Sequence, residues 1–134
     1  MTNLLTAIYG KFSGSDLSTN TGGRIFPDSA PEETPYPHVV YFVVNSSPDK
    51  TFTEVYADTT IQFNLFSTSA TEITTMYNNL KSLFDECSLT ITGSTLVWMR
   101  EGILSTSYED IVTTAGTVGV RNWSIDYEIL TSLN

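Results

Sequence analysis

The sequence predicts an α+β domain: a mostly antiparallel β-sheet with two α-helices packed on one face, plus a β-hairpin. Three observations carry this expectation. Residues 54–66 and 118–130 alternate apolar and polar side chains, the period of a half-buried strand. Ile73, Met76, Tyr77, Leu80, Leu83, Phe84 and Cys87 keep the 3.6-residue period of a helix for about five turns. The segments follow in the order helix, arm, strand, strand, long helix, hairpin, loop, strand, which suits helices laid on an antiparallel sheet. With 134 residues, the chain reads as a single domain over 1–134.

Taken in order, Leu5, Ile8, Tyr9 and Phe12 fall on one face of a short helix. Thr2 or Asn3 can cap its start, and Gly14 can supply a left-handed residue after its end. Residues 14–23 read as a polar loop. Arg24, Ile25 and Phe26 form a brief extended piece that Pro27 stops. Residues 28–37 form an arm punctuated by proline. Such an arm runs over the surface or along a sheet edge, because proline has no N–H to give to a ladder.

Residues 38–45 predict a strand apolar on both faces, with Val39, Tyr41 and Val43 opposed to Val40, Phe42 and Val44. Residues 45–50 read as a turn or hairpin tip. In 54–66, Val55, Ala57, Thr59, Ile61, Phe63 and Leu65 share one face. The main helix opens on a capping box, with Ser69 as cap and Glu72 reaching back. Gly93 and Ser94 then turn a hairpin between 89–92 and 95–104. Residues 105–117 read as a mobile loop with Tyr108 exposed. The last strand turns Trp123, Ile125, Tyr127 and Ile129 to one side.

Charged residues make up 16% of the chain, below the roughly 25% usual for a soluble domain. Fifteen acids against six bases leave a net charge of -9. The bases, Lys11, Arg24, Lys50, Lys81, Arg100 and Arg121, are scattered along the sequence. They form no local cluster that could track phosphates, which argues against specific nucleic-acid binding. Cys87 is the single cysteine, so no intrachain disulfide forms; it reads as a small buried hydrophobe. Residues 1–12 lack the basic start and apolar run of a signal peptide. No apolar run approaches the ~18 residues of a membrane helix. The expectation is a soluble chain made in the cytoplasm, with no membrane contact.

Catalytic residue types are sparse. His38 and Cys87 are the only members of their types and lie far apart in sequence. No spacing matches a zinc site or a calcium loop. The sequence contains no P-loop, no dinucleotide fingerprint and no Gly-x-Ser-x-Gly elbow. The expectation is therefore no enzyme, no metal and no cofactor. Apolar and aromatic residues, in contrast, exceed what one small core needs. The two-faced strands at 38–45 and 95–104, with Phe52, Trp98 and Tyr108 in or near loops, point to protein contacts.

The stretch from Gly22 to Tyr41 carries a resemblance. Gly22-Gly23-Arg24-Ile25-Phe26-Pro27, then Ala30-Pro31, then Pro35-Tyr36-Pro37-His38-Val39-Val40-Tyr41 resembles the tail-completion, or tail-terminator, proteins of long-tailed (siphovirus-type) bacteriophages. The later order of strand, Ser/Thr-capped helix, hairpin and aromatic last strand is similar to theirs as well. Pro37 beside Tyr36 and the short first helix depart from the family pattern.

The resemblance implies a structural role without catalysis. Such a protein forms a homo-oligomeric ring, a hexamer in the family, that caps the tail tube and stops its polymerisation. The ring also offers a joint to the head-completion or connector protein. Its partners are therefore its own copies, the tail tube protein and the connector, and its place is the virion, after assembly in the host bacterial cytoplasm. Another neck or tail subunit, of head-completion or tube type, is the alternative reading, with a small enzyme behind it. The interface residues expected on this reading are Arg24 with the proline arm, Phe52 at the hairpin tip, Trp98 with Arg100, and Tyr108. An arginine among acids suits an ion pair between subunits or, equally, one within its own chain, and a negative chain would keep passing DNA from sticking.

Overall fold

A computed structural model of the chain describes residues 2–50, 55–114 and 116–133. Among these residues, three helices and six strands follow in the order α1 (Thr2–Phe12), α2 (Asp16–Thr21), β1 (Ile25–Pro27), β2 (His38–Lys50), β3 (Val55–Ser67), α3 (Ala70–Phe84), β4 (Thr90–Ile91), β5 (Ser94–Thr113) and β6 (Gly116–Leu133). The strands form one sheet in the order β1-β2-β3-β6-β5-β4. Every pairing is antiparallel except β1 with β2, which is parallel. The α+β class and the mostly antiparallel sheet agree with the sequence reading.

The core lies between the helices and one face of the sheet. Val39, Tyr41, Ile61, Phe63, Leu65, Met99, Ile125, Tyr127 and Ile129 supply the sheet side. Leu4, Ile8, Phe12, Leu17, Ile73, Met76, Leu80 and Phe84 supply the helix side. Phe63 and Phe84 stack at 5.0 Å, and Phe12 meets Phe84 edge-on at 5.2 Å. Each such side chain contributes about 1.5–3 kcal/mol of burial over exposure.

Several local expectations are corrected. The predicted polar loop at 14–23 holds a third helix, α2. Ser15 caps it by accepting from the Ser18 amide at 3.1 Å, and Gly22, left-handed at φ 62°, ends it. Its one core residue, Leu17, gave no period to read. In α1, Leu4 is buried and Tyr9 is 57% exposed, so the buried stripe runs Leu4, Ile8, Phe12. The main helix ends at Phe84, and Cys87 sits half-buried beyond it.

The strands run further than their hydrophobic patterns do. Residues 45–50, expected to turn, continue β2 and stay paired with β3 as far as Lys50↔Val55. Residues 105–113, expected to be a loop, continue β5 against β6 up to Thr113↔Gly116. Two bulges, at Leu96/Trp98 and Glu101/Leu104, break the alternation of β5, and pairing with β6 sustains it where burial does not.

The predicted capping box is present with one member inserted. Ser69 Oγ accepts from the Glu72 amide at 3.3 Å. Glu72 does not reach the Ser69 amide directly. That N–H donates to Ser67 Oγ at 3.1 Å, and the Ser67 hydroxyl donates to Glu72 Oε1 at 2.6 Å. The hydroxyl relays the bond that the carboxylate makes alone in a simple box.

Candidate functional site

The helices pack on one face of the sheet, and the strands turn a second set of side chains to the opposite face. The centre of that opposite face is a polar ladder set by strand register, with Gln62 opposite Asp126 and Asn64 opposite Ser124. Gln62 Nε2 donates to Asp126 Oδ1 at 3.0 Å, Asn64 Nδ2 to Gln62 Oε1 at 3.2 Å, and Ser124 Oγ to Asn64 Oδ1 at 2.6 Å. These groups satisfy one another, so the face is polar and fixed.

At the β2 end of this face the proline arm folds over. His38 is stacked between Tyr36 at 5.1 Å and Phe66 at 4.7 Å. Its Nδ1–H donates to the Pro35 carbonyl at 3.2 Å. Burial, with a smaller push from the Arg24 charge, holds the imidazole below its ordinary pKa of 6.5. A groove of about 580 Å³ lies between Pro31, Pro35 and Tyr36 of the arm and Ile111, Val118 and Val120 of the β5–β6 hairpin.

Arg24 is half-buried and contacts the arm of its own chain. Its Nε donates to the Pro37 carbonyl at 3.0 Å, and its guanidinium lies over Gly22, where an added Cβ would sit 2.9 Å from Nη1. It fastens the end of the arm to the turn before β1.

Trp98 and Arg100 are brought together. The Arg100 guanidinium lies 3.9 Å over the Trp98 ring and 3.6 Å from Glu128 Oε2. Both project on the helix-free side, as their partners Leu130 and Glu128 indicate. Tyr108 belongs to the other side of the same hairpin. It is 58% exposed and lies beneath Arg121, whose guanidinium is 5.0 Å from the ring. A Cβ on Gly119 would collide with the Tyr108 ring, so glycine there lets the ring lie flat on β6. Phe52 lies outside the described residues. The expected contact residues thus fall on three separate surfaces.

Sequence reasoning missed the most exposed apolar residues on the hairpin, Ile103 at 68% and Val112 at 81%. Both lie in β5, in or beside a segment read as a loop. Their β-branched character was the available signal.

His38 and Cys87 do not form a catalytic pair. Burial pushes the Cys87 thiol up in pKa, and its Sγ lies 3.7 Å from Met99 Sδ, whereas His38 stacks beneath the arm. Among the described residues no group of three or more His, Cys, Asp or Glu could hold a metal ion.

A family model described as tail completion protein gp17 matches residues 6–132. The chain belongs to this family. It is accordingly a structural protein of a phage-type virion, placed at the tail and neck. A chain from the virion of a native gene transfer agent (GTA) particle is similar in structure, with a TM-score of 0.77 at 11% identity over 95% of this chain and 92% of that one. At that identity the likeness speaks for the fold. A comparison with curated protein sequences gives no match.

Proposed function

We propose that the protein assembles as a ring on the end of the tail tube, stops its polymerisation and provides the joint to the head connector. The observation that carries this reading is the tail completion match over residues 6–132. The exposed apolar residues Val44, Val97, Ile103, Tyr108 and Val112 support a protein that is finished by contacts with other proteins. A ring needs a heterologous contact, one surface of a subunit meeting a different surface of the next. Trp98 with Arg100 is one candidate surface and Tyr108 with Arg121 another. The net charge of -9 would keep a passing DNA from adhering. The test is to add purified protein to growing tail tubes. A terminator halts elongation and sediments with tube ends at a fixed ratio, whereas a tube-type subunit lengthens them.

A further inference from the structure

The two open edges of the sheet are finished differently along their lengths. On the β5 side, β4 covers Ser94 and Thr95. The turn after α3 covers the next stretch. The Glu86 amide donates to the Met99 carbonyl at 2.8 Å, and the Glu101 amide donates to Asp85 Oδ1 at 3.3 Å. From Ile103 to Val112, among the described residues, nothing pairs with the outward side of β5. On the β2 side, β1 covers Val39, Val40 and Tyr41, and the Asp28 amide adds one bond to the Tyr41 carbonyl at 2.9 Å. Residues 42–47, which hold the bulge between Val43 and Asn45, then stand open among the described residues as far as Pro48, which has no N–H with which to continue a ladder.

Natural sheets blunt exposed edges with lysine, proline, bulges or a covering segment. The stretch 103–112, Ile-Leu-Ser-Thr-Ser-Tyr-Glu-Asp-Ile-Val, has no lysine and no proline. Its bulge is finished by Leu104, and β-formers such as Ile103 and Val112 stand exposed along it. An unprotected regular edge of this length is a template for another strand.

We infer that residues 103–112 of one subunit pair with residues 42–47 of a second copy of this chain, so that the sheet continues from subunit to subunit. The two edges lie on opposite sides of one sheet, so each subunit offers one of each. A single heterologous contact repeated around a closed axis consumes them all. The ten-residue edge is long enough to seat the six-residue one. Charge also permits the pairing. Glu109 and Asp110 are the only charged residues in 103–112, and residues 42–47 carry none, so two strongly acidic chains meet here without like charges in both edges. This inference rests on the ring reading for the existence of neighbouring subunits.

The test is hydrogen exchange on the protein as monomer and as assembled on purified tail tubes, with light scattering to count subunits. The expected result is that amides of both 42–47 and 103–112 slow by about tenfold or more on assembly. Ile103→Lys/Val112→Lys disables one edge and Val44→Lys the other, at side chains exposed enough to leave the fold intact, which melting curves would verify. Each variant alone should remain monomeric, and a mixture of the two should stop at a 1:1 dimer. Rings that form with protection elsewhere, or from the edge variants unaided, overturn the strand pairing and leave the ring reading standing. Slowing at 103–112 alone assigns that edge to a foreign strand and overturns the second-copy pairing. A chain that stays monomeric even on tubes overturns the ring reading, and this inference with it.

Discussion

Tyr77 donates a 2.5 Å hydrogen bond to Glu101 Oε1, and this contact ties α3 to the second bulge of β5. Glu101 also lies 3.4 Å from Lys81 Nζ, and its amide donates to Asp85 Oδ1. One residue at a bulge, through its carboxylate and its backbone amide, thus gathers three residues from the second half of the helix and its end. β5 continues beyond this point as the long hairpin, so the anchor sets where that hairpin leaves the domain.

Tyr77→Phe removes the bond and keeps the ring against Trp123, 5.8 Å away. The expected cost at neutral pH is about 1.5 kcal/mol, the size of a hydrogen bond to a charged acceptor. The Glu101 bond, then burial, pushes the Tyr77 phenol up to about 12 from 10. The folded state therefore holds this proton more tightly than the unfolded chain. Its contribution is complete below pH 10 and is lost as pH rises through 10 to about 12. Urea titrations of wild type and Tyr77→Phe at pH 8 and 11 check this: their stability difference should shrink at the higher pH. A constant difference would show that the bond does not govern the titration.

The Ser67 relay predicts a cap spread over three residues. Ser69→Ala should cost about 1 kcal/mol, the usual loss for an N-cap. Ser67→Ala should cost as much or more, because it leaves the Ser69 amide and the Glu72 carboxylate without their shared partner. Glu72→Ala made in the Ser67→Ala background should then cost little, since the two act as one unit. Denaturant midpoints of the single and double variants measure the coupling, and strictly additive losses would count against the relay.

His38 gives the acid side of the pH profile. Burial between Tyr36 and Phe66, with the Arg24 charge nearby, lowers its pKa below 6.5. Between the folded value and 6.5 the unfolded chain binds more protons, so stability rises with pH there. This contribution is present above pH 6.5 and is lost as pH falls through the folded value. His38→Phe keeps an aromatic in the stack and removes the titration. Thermal melts at pH 7.5 and 5.5 should show a smaller acid-induced loss in the variant than in wild type. An equal loss would assign the acid sensitivity to carboxylates instead.

How far the sequence could be read follows from what each residue had to bury. Thr59, Ile61, Phe63 and Leu65 are all buried, as are Ile125, Tyr127 and Ile129, because these strands lie under the helices and keep a strict period of two. The outer half of β5 has no helix over it. Ser105, Thr106 and Ser107 are held chiefly by a backbone ladder, to which the Ser107 hydroxyl adds a bond to the Asn122 carbonyl, and nothing in their hydropathy reports that. The first helix offers Leu4, Leu5, Ile8, Tyr9 and Phe12, and the period alone cannot choose between Leu4 and Tyr9. Trp98 with Arg100 was readable because residues two apart on a strand share a face. Arg121 over Tyr108 was not, since the contact depends on a cross-strand register that only the hairpin fixes.

Trp98 is the residue on which an assembly role and a folding role separate most clearly. Its ring is half-buried on the helix-free side beneath Arg100, opposite Leu130. Within the monomer, truncation loses a surface cation–π contact, about 0.5–1 kcal/mol, and part of one aromatic burial. If the ring is closed through this surface, the same truncation removes an aromatic anchor, and such anchors cost about 2 kcal/mol or more. Trp98→Ala should therefore raise the concentration needed for assembly by about thirtyfold while lowering monomer stability by about 1 kcal/mol. Arg100→Ala is the control. It removes the cation and leaves the ring, and its effect on assembly should be the smaller of the two. Sedimentation equilibrium beside denaturant melts reads both quantities on the same samples. Matching losses in assembly and in folding would place Trp98 in the packing of its own subunit.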